Sequence, residues 1–341
     1  MTSKSRRSSG HRAPVFFLVF ILFLLGLYTA YWFYVRSQVT TIIDGWIDDQ
    51  RALGTEITYQ SRSMSGYPYR ISLAFNDFEY RAADGSTDWS GEKFQFTMPA
   101  WNFRHYIVRS PGRNSLLLET GERVDIDLLG RSAASITLQS DNTLKAVTLA
   151  VDDAQIQTVL GRSTINDLGL KFGVSDVDPD HARLAVDWEE ITVPTPPTGA
   201  DWLGTQLPNG ALRVEFEGLG PYLSQPNGLA DWRRDTREIE IAQALINYGP
   251  VEAGMKGKLD LSPEGLFNGP LLVRLDNGET LIDALEANGL MSPLLRPVLD
   301  GILNRSDAGA FANVPVRDSV ASYFGFRLFE IPPIPAPGQS G

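Results

Sequence analysis

The sequence has no cysteine among its 341 residues. Disulfides, thiolate nucleophiles and Cys-ligated metals are therefore excluded. That argues against a small disulfide-stapled secreted module and is compatible with a bacterial envelope protein, for which disulfides are optional. Histidine is almost as scarce, with only His11, His105 and His181. They lie far apart and form no H-E-x-x-H pair, so the usual zinc spacing is missing. The chain also lacks G-x-S-x-G, G-x-G-x-x-G and G-x-x-x-x-G-K-[ST]. It thus has no recognisable nucleophile elbow and no phosphate-cradling loop. The expectation is a protein without a cofactor, with no assignable catalytic, cofactor-binding or metal residue, and not an enzyme.

Charge is missing from one long stretch. Val15 to Val35 reads VFFLVFILFLLGLYTAYWFYV, without a single charged side chain. At about 1.5 Å of helical rise per residue this run spans roughly 30 Å, the hydrocarbon thickness of a bilayer. A soluble amphipathic helix would keep a polar face. The last third, with Tyr28, Tyr31, Trp32, Phe33 and Tyr34, resembles an interfacial aromatic belt. Lys4, Arg6, Arg7 and Arg12 precede the span with no acid among them, so the N-terminus is expected in the cytoplasm. Arg12, Tyr31, Trp32, Tyr34 and Arg36 are the expected membrane-interface residues. A cleaved signal peptide is the rival reading, but its apolar region would be shorter and end in an A-x-A-like site.

The formal net charge is −11, and the first fourteen residues hold +4, so the remainder carries −15. Such an acidic ectodomain lacks the basic footprint that nucleic acid requires. It is also expected not to lie flat on anionic headgroups through its overall charge.

The chain divides into a basic tail (1–14), a transmembrane helix (15–35) and a stalk helix (36–54). A first β-rich half (55–191), a Pro-rich linker (192–202), a second β-rich half (203–331) and a Pro-rich tail (332–341) follow. In the stalk, Ile42, Ile43, Trp46, Ile47 and Leu53 share one face, and Gly54 is placed to end the helix. Beyond it the apolar period becomes 2: Ile71, Leu73, Phe75; Phe94, Phe96, Met98; Val124, Ile126, Leu128; Leu168 to Val174; Leu184, Val186, Trp188; Leu212, Val214, Phe216. Short alternating runs bounded by Gly, Asp, Asn, Ser or Pro predict antiparallel strands. Lys258 to Leu275 predicts a hairpin turning at S-P-E-G. Helices are expected at 153–160, 279–287 and 293–304. The linker TVPTPPTGADW is the best internal boundary, although it reads equally as a long loop within one domain. The fold class is mainly β (α+β): a transmembrane helix and a curved, largely antiparallel sheet with a few helices.

Asp176, Asp178 and Asp180 begin a calcium-loop spacing with Asp187 at its twelfth position. His181 stands where that loop needs glycine, so an acidic turn with Pro179 as its corner is the preferred reading. Glu189 and Glu190 are neighbours in a strand and face opposite ways, so they cannot work as an acid/base couple. Aromatics crowd residues 59–106. Core packing is the first expectation; an apolar groove for an acyl chain is the sharper one.

The segment Gly66-Tyr67-Pro68-Tyr69-Arg70-Ile71, placed after a span and a Trp-bearing stalk, resembles an uncharacterised family of alphaproteobacterial envelope proteins (domain of unknown function, family 2125). WSGEKFQFTMPAWNFRHYIVR, with Trp101, is similar to that family's next strand pair, and residues 239–289 are similar to its C-terminal half. The resemblance brings no activity and no catalytic residue. Gly66, Tyr67, Pro68, Tyr69, Arg70 and Trp101 are its structural motif, in which Pro68 starts or edges a strand and Tyr67 and Tyr69 share a face. The G-x-L-x-L-x-x-x-G-x-x-x-G stretch also resembles the AsmA-like envelope proteins, which are membrane-anchored β-rich grooves associated with lipid.

The expected protein is single-pass in a bacterial inner membrane, with a periplasmic ectodomain. Its expected role is a binding or assembly factor of the envelope, with lipid handling through an apolar β groove. Its expected partners are the bilayer, a lipid ligand or envelope proteins, and no nucleic acid. A protein-interaction scaffold is the alternative, and a hydrolase with a dispersed active site, using His105 or His181 as base, is the third. N-terminal sequencing of the mature protein is expected to find the span retained; a start near Tyr31 would show a cleaved signal peptide instead.

Overall fold

The computed structural model describes residues 12–118, 120–196, 201–225, 227–234, 237–307 and 311–333. Most of the basic tail, four residues of the Pro-rich linker and most of the Pro-rich tail lie outside the described residues. The expected span and stalk form one helix, α1 (Arg12–Ala52). It is long and apolar enough to cross a membrane. It ends as its sequence dictates. Gly54 adopts φ +93, the Thr55 N–H donates to the Gln50 carbonyl (3.0 Å), and the Gly54 N–H donates to that of Arg51 (3.0 Å). This is a Schellman closure, which needs a residue without a Cβ at the left-handed position.

All eighteen strands among the described residues belong to one antiparallel sheet. It is a meander, with each long strand pairing to the next along the chain. β1 (Glu56–Thr58) and β2 (Ser61–Ser65) lie end to end along β3 (Arg70–Arg81). β3 pairs with β4 (Thr87–Pro99), and β4 with β5 (His105–Arg109) and β6 (Gly112–Leu118). Next come β7 (Arg123–Leu128) beside β6 and β8 (Ala133–Leu138) beside β5, both of which pair with β9 (Leu144–Thr158). β10 (Gly161–Val174), β11 (Ala182–Thr192), β12 (Gln206–Phe216), β13 (Arg237–Tyr248), β14 (Val251–Leu261) and β15 (Phe267–Asp276) continue it. β16 (Ala312–Arg317), β17 (Val320–Tyr323) and β18 (Phe326–Glu330) complete it. The Pro-rich segment joins β11 to β12, and those strands pair, so the ladder runs unbroken across it. The expected hairpin at 258–275 is β14–β15, with the Gly265 N–H donating to the Ser262 carbonyl (2.9 Å) across the turn.

The helix expected at 153–160 is instead the end of β9. Ile156, Val159 and Leu160 have helical spacing, but the backbone there is committed to β7 on one side and β10 on the other. Paired ladders on both edges override a short local preference. Val159 and Leu160 become the exposed tip of the β9–β10 hairpin. Three further helices, α2 (Gly228–Trp232), α3 (Gly278–Ala287) and α4 (Leu295–Asp307), pack on the second half of the sheet. Its core joins Ile239, Leu259, Leu271, Val298, Ile302 and Val314 around the fully buried Trp232, whose Nε1–H donates to the Glu217 carbonyl (2.7 Å).

A crease crosses the first half of the sheet. Asp77, Asp153 and Glu190 hold positive φ (46, 53 and 50°) in mid-strand. The gap between β5 and β6 and the gap between β7 and β8 fall on the same transverse line, where the Leu129 and Gly130 N–H groups both donate to the Asp153 carbonyl (2.9 and 3.2 Å). The alternation slips by one at this line. In β3, Leu73 and Phe75 pack toward α1 before Asp77, and Phe78 and Tyr80 do so after it. A bulge-like irregularity re-aims side chains in this way.

Replacing Trp232 with Ala is expected to cost about 3–5 kcal/mol through the cavity it leaves. Replacing the exposed Val177 with Ala should change stability by less than about 0.5 kcal/mol. Chemical denaturation of the two variants checks both.

Candidate functional site

The C-terminal part of α1 lies along the sheet. Tyr28, Trp32, Val35, Val39, Ile43 and Ile47 recur every three or four residues, so they form one stripe. Trp32, Val35 and Val39 are buried against Ile71, Met98 and Ala100, while Ile47 is buried with Ile57, Leu73, Phe75 and Phe78. Three hydrogen bonds tie the stripe to two loops at the end of the sheet. The Tyr28 hydroxyl donates to the Pro68 carbonyl (2.6 Å), the Tyr31 hydroxyl to that of Ala100 (3.2 Å), and the Trp32 Nε1–H to that of Arg70 (3.1 Å). Further along, the Arg62 guanidinium of β2 pairs with Asp44, whose carboxylate holds it above its ordinary pKa.

The structural motif is the β2–β3 turn. The Arg70 N–H donates to the Gly66 carbonyl (2.9 Å), and Pro68 follows a cis peptide within the turn, ahead of the strand. Gly66 sits at φ +110, and a Cβ there would meet the Arg70 carbonyl oxygen at 2.5 Å. Tyr67 turns back to α1: its hydroxyl lies 2.7 Å from Thr29 Oγ1 and its ring meets Trp32 edge-on at 5.4 Å. Tyr69 instead points outward, 70 % exposed, so these two tyrosines have different surroundings. Trp101, in the turn after β4, is 63 % exposed. Of the interface residues, Trp32 is buried, Tyr31 and Tyr34 are exposed, Arg36 lies 5.8 Å from the Trp32 ring centroid, and Arg12 opens the helix.

Not all of the stalk face touches the sheet. Ile42, Trp46 and Leu53 are exposed. The gap beside them is an apolar cleft of about 450 Å³ walled by Tyr31, Tyr34, Ile42, Met98, Phe103 and Tyr106. A second, of about 490 Å³, is walled by Trp46, Phe75, Tyr80, Trp89, Phe94 and Leu116. Ile43 and Phe96 line both, so the two form one trough between helix and sheet. Along α1 from Tyr31 to Trp46 its length is about 22 Å. The first-half aromatics differ in burial, with Phe75 and Phe78 buried and Trp89 and Phe94 half-buried, and all four border the second cleft. Of these wall residues, Ile42 belongs to the stalk face and Phe103 to the aromatic-rich stretch read from the sequence, whereas Leu116 was not marked by it.

A polar cleft of about 540 Å³ lies along the crease, with Asp77, Glu79, Glu92, Asp125, Asp127, Arg113 and Arg162 on its walls. Arg113 Nε donates to Glu92 at 2.8 Å and holds that carboxyl below its ordinary range. Asn114 stitches the β5–β6 gap, donating through Nδ2 to the Ser110 and Gly112 carbonyls (2.8 and 3.0 Å). Among the described residues no group of three or more His, Asp or Glu could hold a metal ion. Asp178 accepts from the Asp180 N–H (3.0 Å) and faces His181 (3.3 Å), Asp176 faces Lys171 (3.4 Å), and Asp187 pairs with Arg213 at 2.5 Å. His105 lies on β5, 3.0 Å from the Thr137 hydroxyl, and His181 immediately precedes β11.

Two tests follow. Gly66→Ala should lose about 1–3 kcal/mol of stability by chemical denaturation, from a strained φ and a backbone clash. In a pH titration followed by carboxyl NMR, Glu92 should titrate below the ordinary glutamate value, and Arg113→Ala should move it upward. The Glu92 pair contributes at neutral pH, and that contribution fades as pH falls through the lowered value.

Residues 32–314 match the model of a family described as an uncharacterised protein conserved in bacteria, DUF2125, and the chain belongs to it. No curated protein and no solved structure matches the chain, so the AsmA-like resemblance carries no further argument.

Proposed function

We propose that this DUF2125 protein is a membrane-anchored binding protein of the bacterial envelope whose trough takes an acyl chain from a lipid. In this reading α1 crosses the inner membrane with its N-terminus in the cytoplasm, and the sheet lies in the periplasm. The observation that carries it is continuity. The trough begins at Tyr31 and Tyr34, at the outer end of the apolar run, and follows the same helix to Trp46. A lipid leaving the outer leaflet meets apolar wall throughout. About 22 Å of trough suits a long fatty acyl chain. Apolar walls with few polar groups are the rule for such sites. The only side-chain amide in the first cleft is Gln38, and the Tyr31 and Tyr106 hydroxyls are already bonded to the Ala100 and Phe103 carbonyls. The polar cleft shares no wall with α1, and its Glu92 is already paired. The role is binding or transfer rather than catalysis.

Phospholipid is expected to remain with the detergent-purified full chain and to be found by native mass spectrometry. Ile42→Glu puts a charge on the trough wall at an exposed position. It should lower the retained lipid while changing stability by less than about 0.5 kcal/mol. Lipid-free wild-type protein would overturn the reading and favour a protein-interaction scaffold.

A further inference from the structure

The side chains of Phe16 to Leu27 are all exposed. From Tyr28 onward the helix is held by the sheet. Between Arg12 and Tyr28 it therefore has only about 24 Å free, against roughly 30 Å of hydrocarbon. The remaining depth falls at Tyr28 to Trp32, where the loops 66–70 and 100–104 already flank the helix. Those loops carry exposed rings: Tyr67, Tyr69, Trp101 and Phe103. Soluble surfaces seldom cluster large aromatics in this way, and a bilayer interface favours them.

Charge points the same way. Residues 12–43, 57–76 and 93–118 contain no Asp or Glu, although the chain beyond its first fourteen residues carries −15. Of these, residues 61–76 and 93–109 lie at this end of the sheet, and Arg36, Arg70 and Arg104 are close to the loops; Arg70 and Arg104 are exposed. The two loops that adjoin the apolar helix are thus basic and free of acid; the nearest acid is Asp141 of the β8–β9 turn, beside Arg104, whose guanidinium donates to the Ser140 carbonyl (3.1 Å). Basic residues beside a membrane are attracted by anionic headgroups.

We infer that the 66–70 and 100–104 loops are a second membrane-contact element, seated in the outer headgroup layer. Tyr67, Tyr69, Trp101 and Phe103 reach the acyl boundary, and Arg36, Arg70 and Arg104 face lipid phosphates. Phe103 also walls the first cleft, so the trough opens at acyl level. The inference rests on the reading that α1 crosses the bilayer.

The absence of cysteine makes the test clean. Single cysteines are introduced as Tyr69→Cys and Trp101→Cys in the full chain, labelled with an environment-sensitive fluorophore, and reconstituted in phosphatidylcholine/phosphatidylglycerol vesicles. Phe17→Cys is the bilayer reference and the exposed Val177→Cys the water reference. Labels at 69 and 101 should shift to the blue and be quenched by shallow spin-labelled lipid, unlike the label at 177. Labels at 69 and 101 that behave like 177, while 17 is quenched by deep spin-labelled lipid, overturn the inference and leave the span intact. An unquenched label at 17 overturns the span, and the inference with it.

Discussion

Three carbonyls at one end of the sheet, those of Pro68, Arg70 and Ala100, are satisfied by side chains of a single helix. Much of the remaining architecture depends on that attachment. A net hydrogen bond contributes about 1 kcal/mol, and a buried acceptor left unpaired costs more. With the upper contact made by Tyr28, Tyr31 and Trp32, and the lower one by Ile47 against Ile57 and Arg62 against Asp44, the helix is pinned twice. Between those points it stands off the sheet along one flank. The stripe through Val35, Val39 and Ile43 stays packed on the sheet, and the trough is the space along the flank that this stripe leaves uncovered. It needs no special lining residue, only that the supports hold.

The parts legible in the sequence were those set by local rules. An uncharged run, a two-residue alternation, S-P-E-G between strands, and Gly54 after an amphipathic face each state a local conformation, and each is found. The segment 153–160 misled because its spacing is local while its partners, β7 and β10, are not. The trough was legible only as a surplus of aromatics. How deeply each ring is covered depends on where α1 crosses the sheet, and no short-range pattern encodes that. The turn at Gly66 was visible as a turn, but its partners Thr29 and Trp32 lie more than thirty residues earlier.

Overall charge proved a poor guide to local charge. A charge of −15 beyond the first fourteen residues suggests repulsion from anionic surfaces, yet α1 up to Ile43 and the loops 66–70 and 100–104 contain bases and no acid. The acids lie elsewhere, as in the ion pairs of Glu92 with Arg113, Asp187 with Arg213 and Glu238 with Lys258. The bases beside the apolar run, and the acids Asp44, Asp48 and Asp49 farther along the helix, give α1 a polarity along its length.

The crease through Asp77, Asp153 and Glu190 has a consequence for how such a chain can change over generations. In an uninterrupted ladder, gaining or losing one residue turns every later side chain to the wrong face. Here the long strands β3, β4, β9, β10 and β11 cross a line where pairing is relaxed, and in β3 the parity is reset there. An indel near that line has somewhere to be absorbed without inverting the faces on both sides. Because the crease runs between Phe75 and Phe78, both of which border the helix, that tolerance extends into the wall of the trough itself.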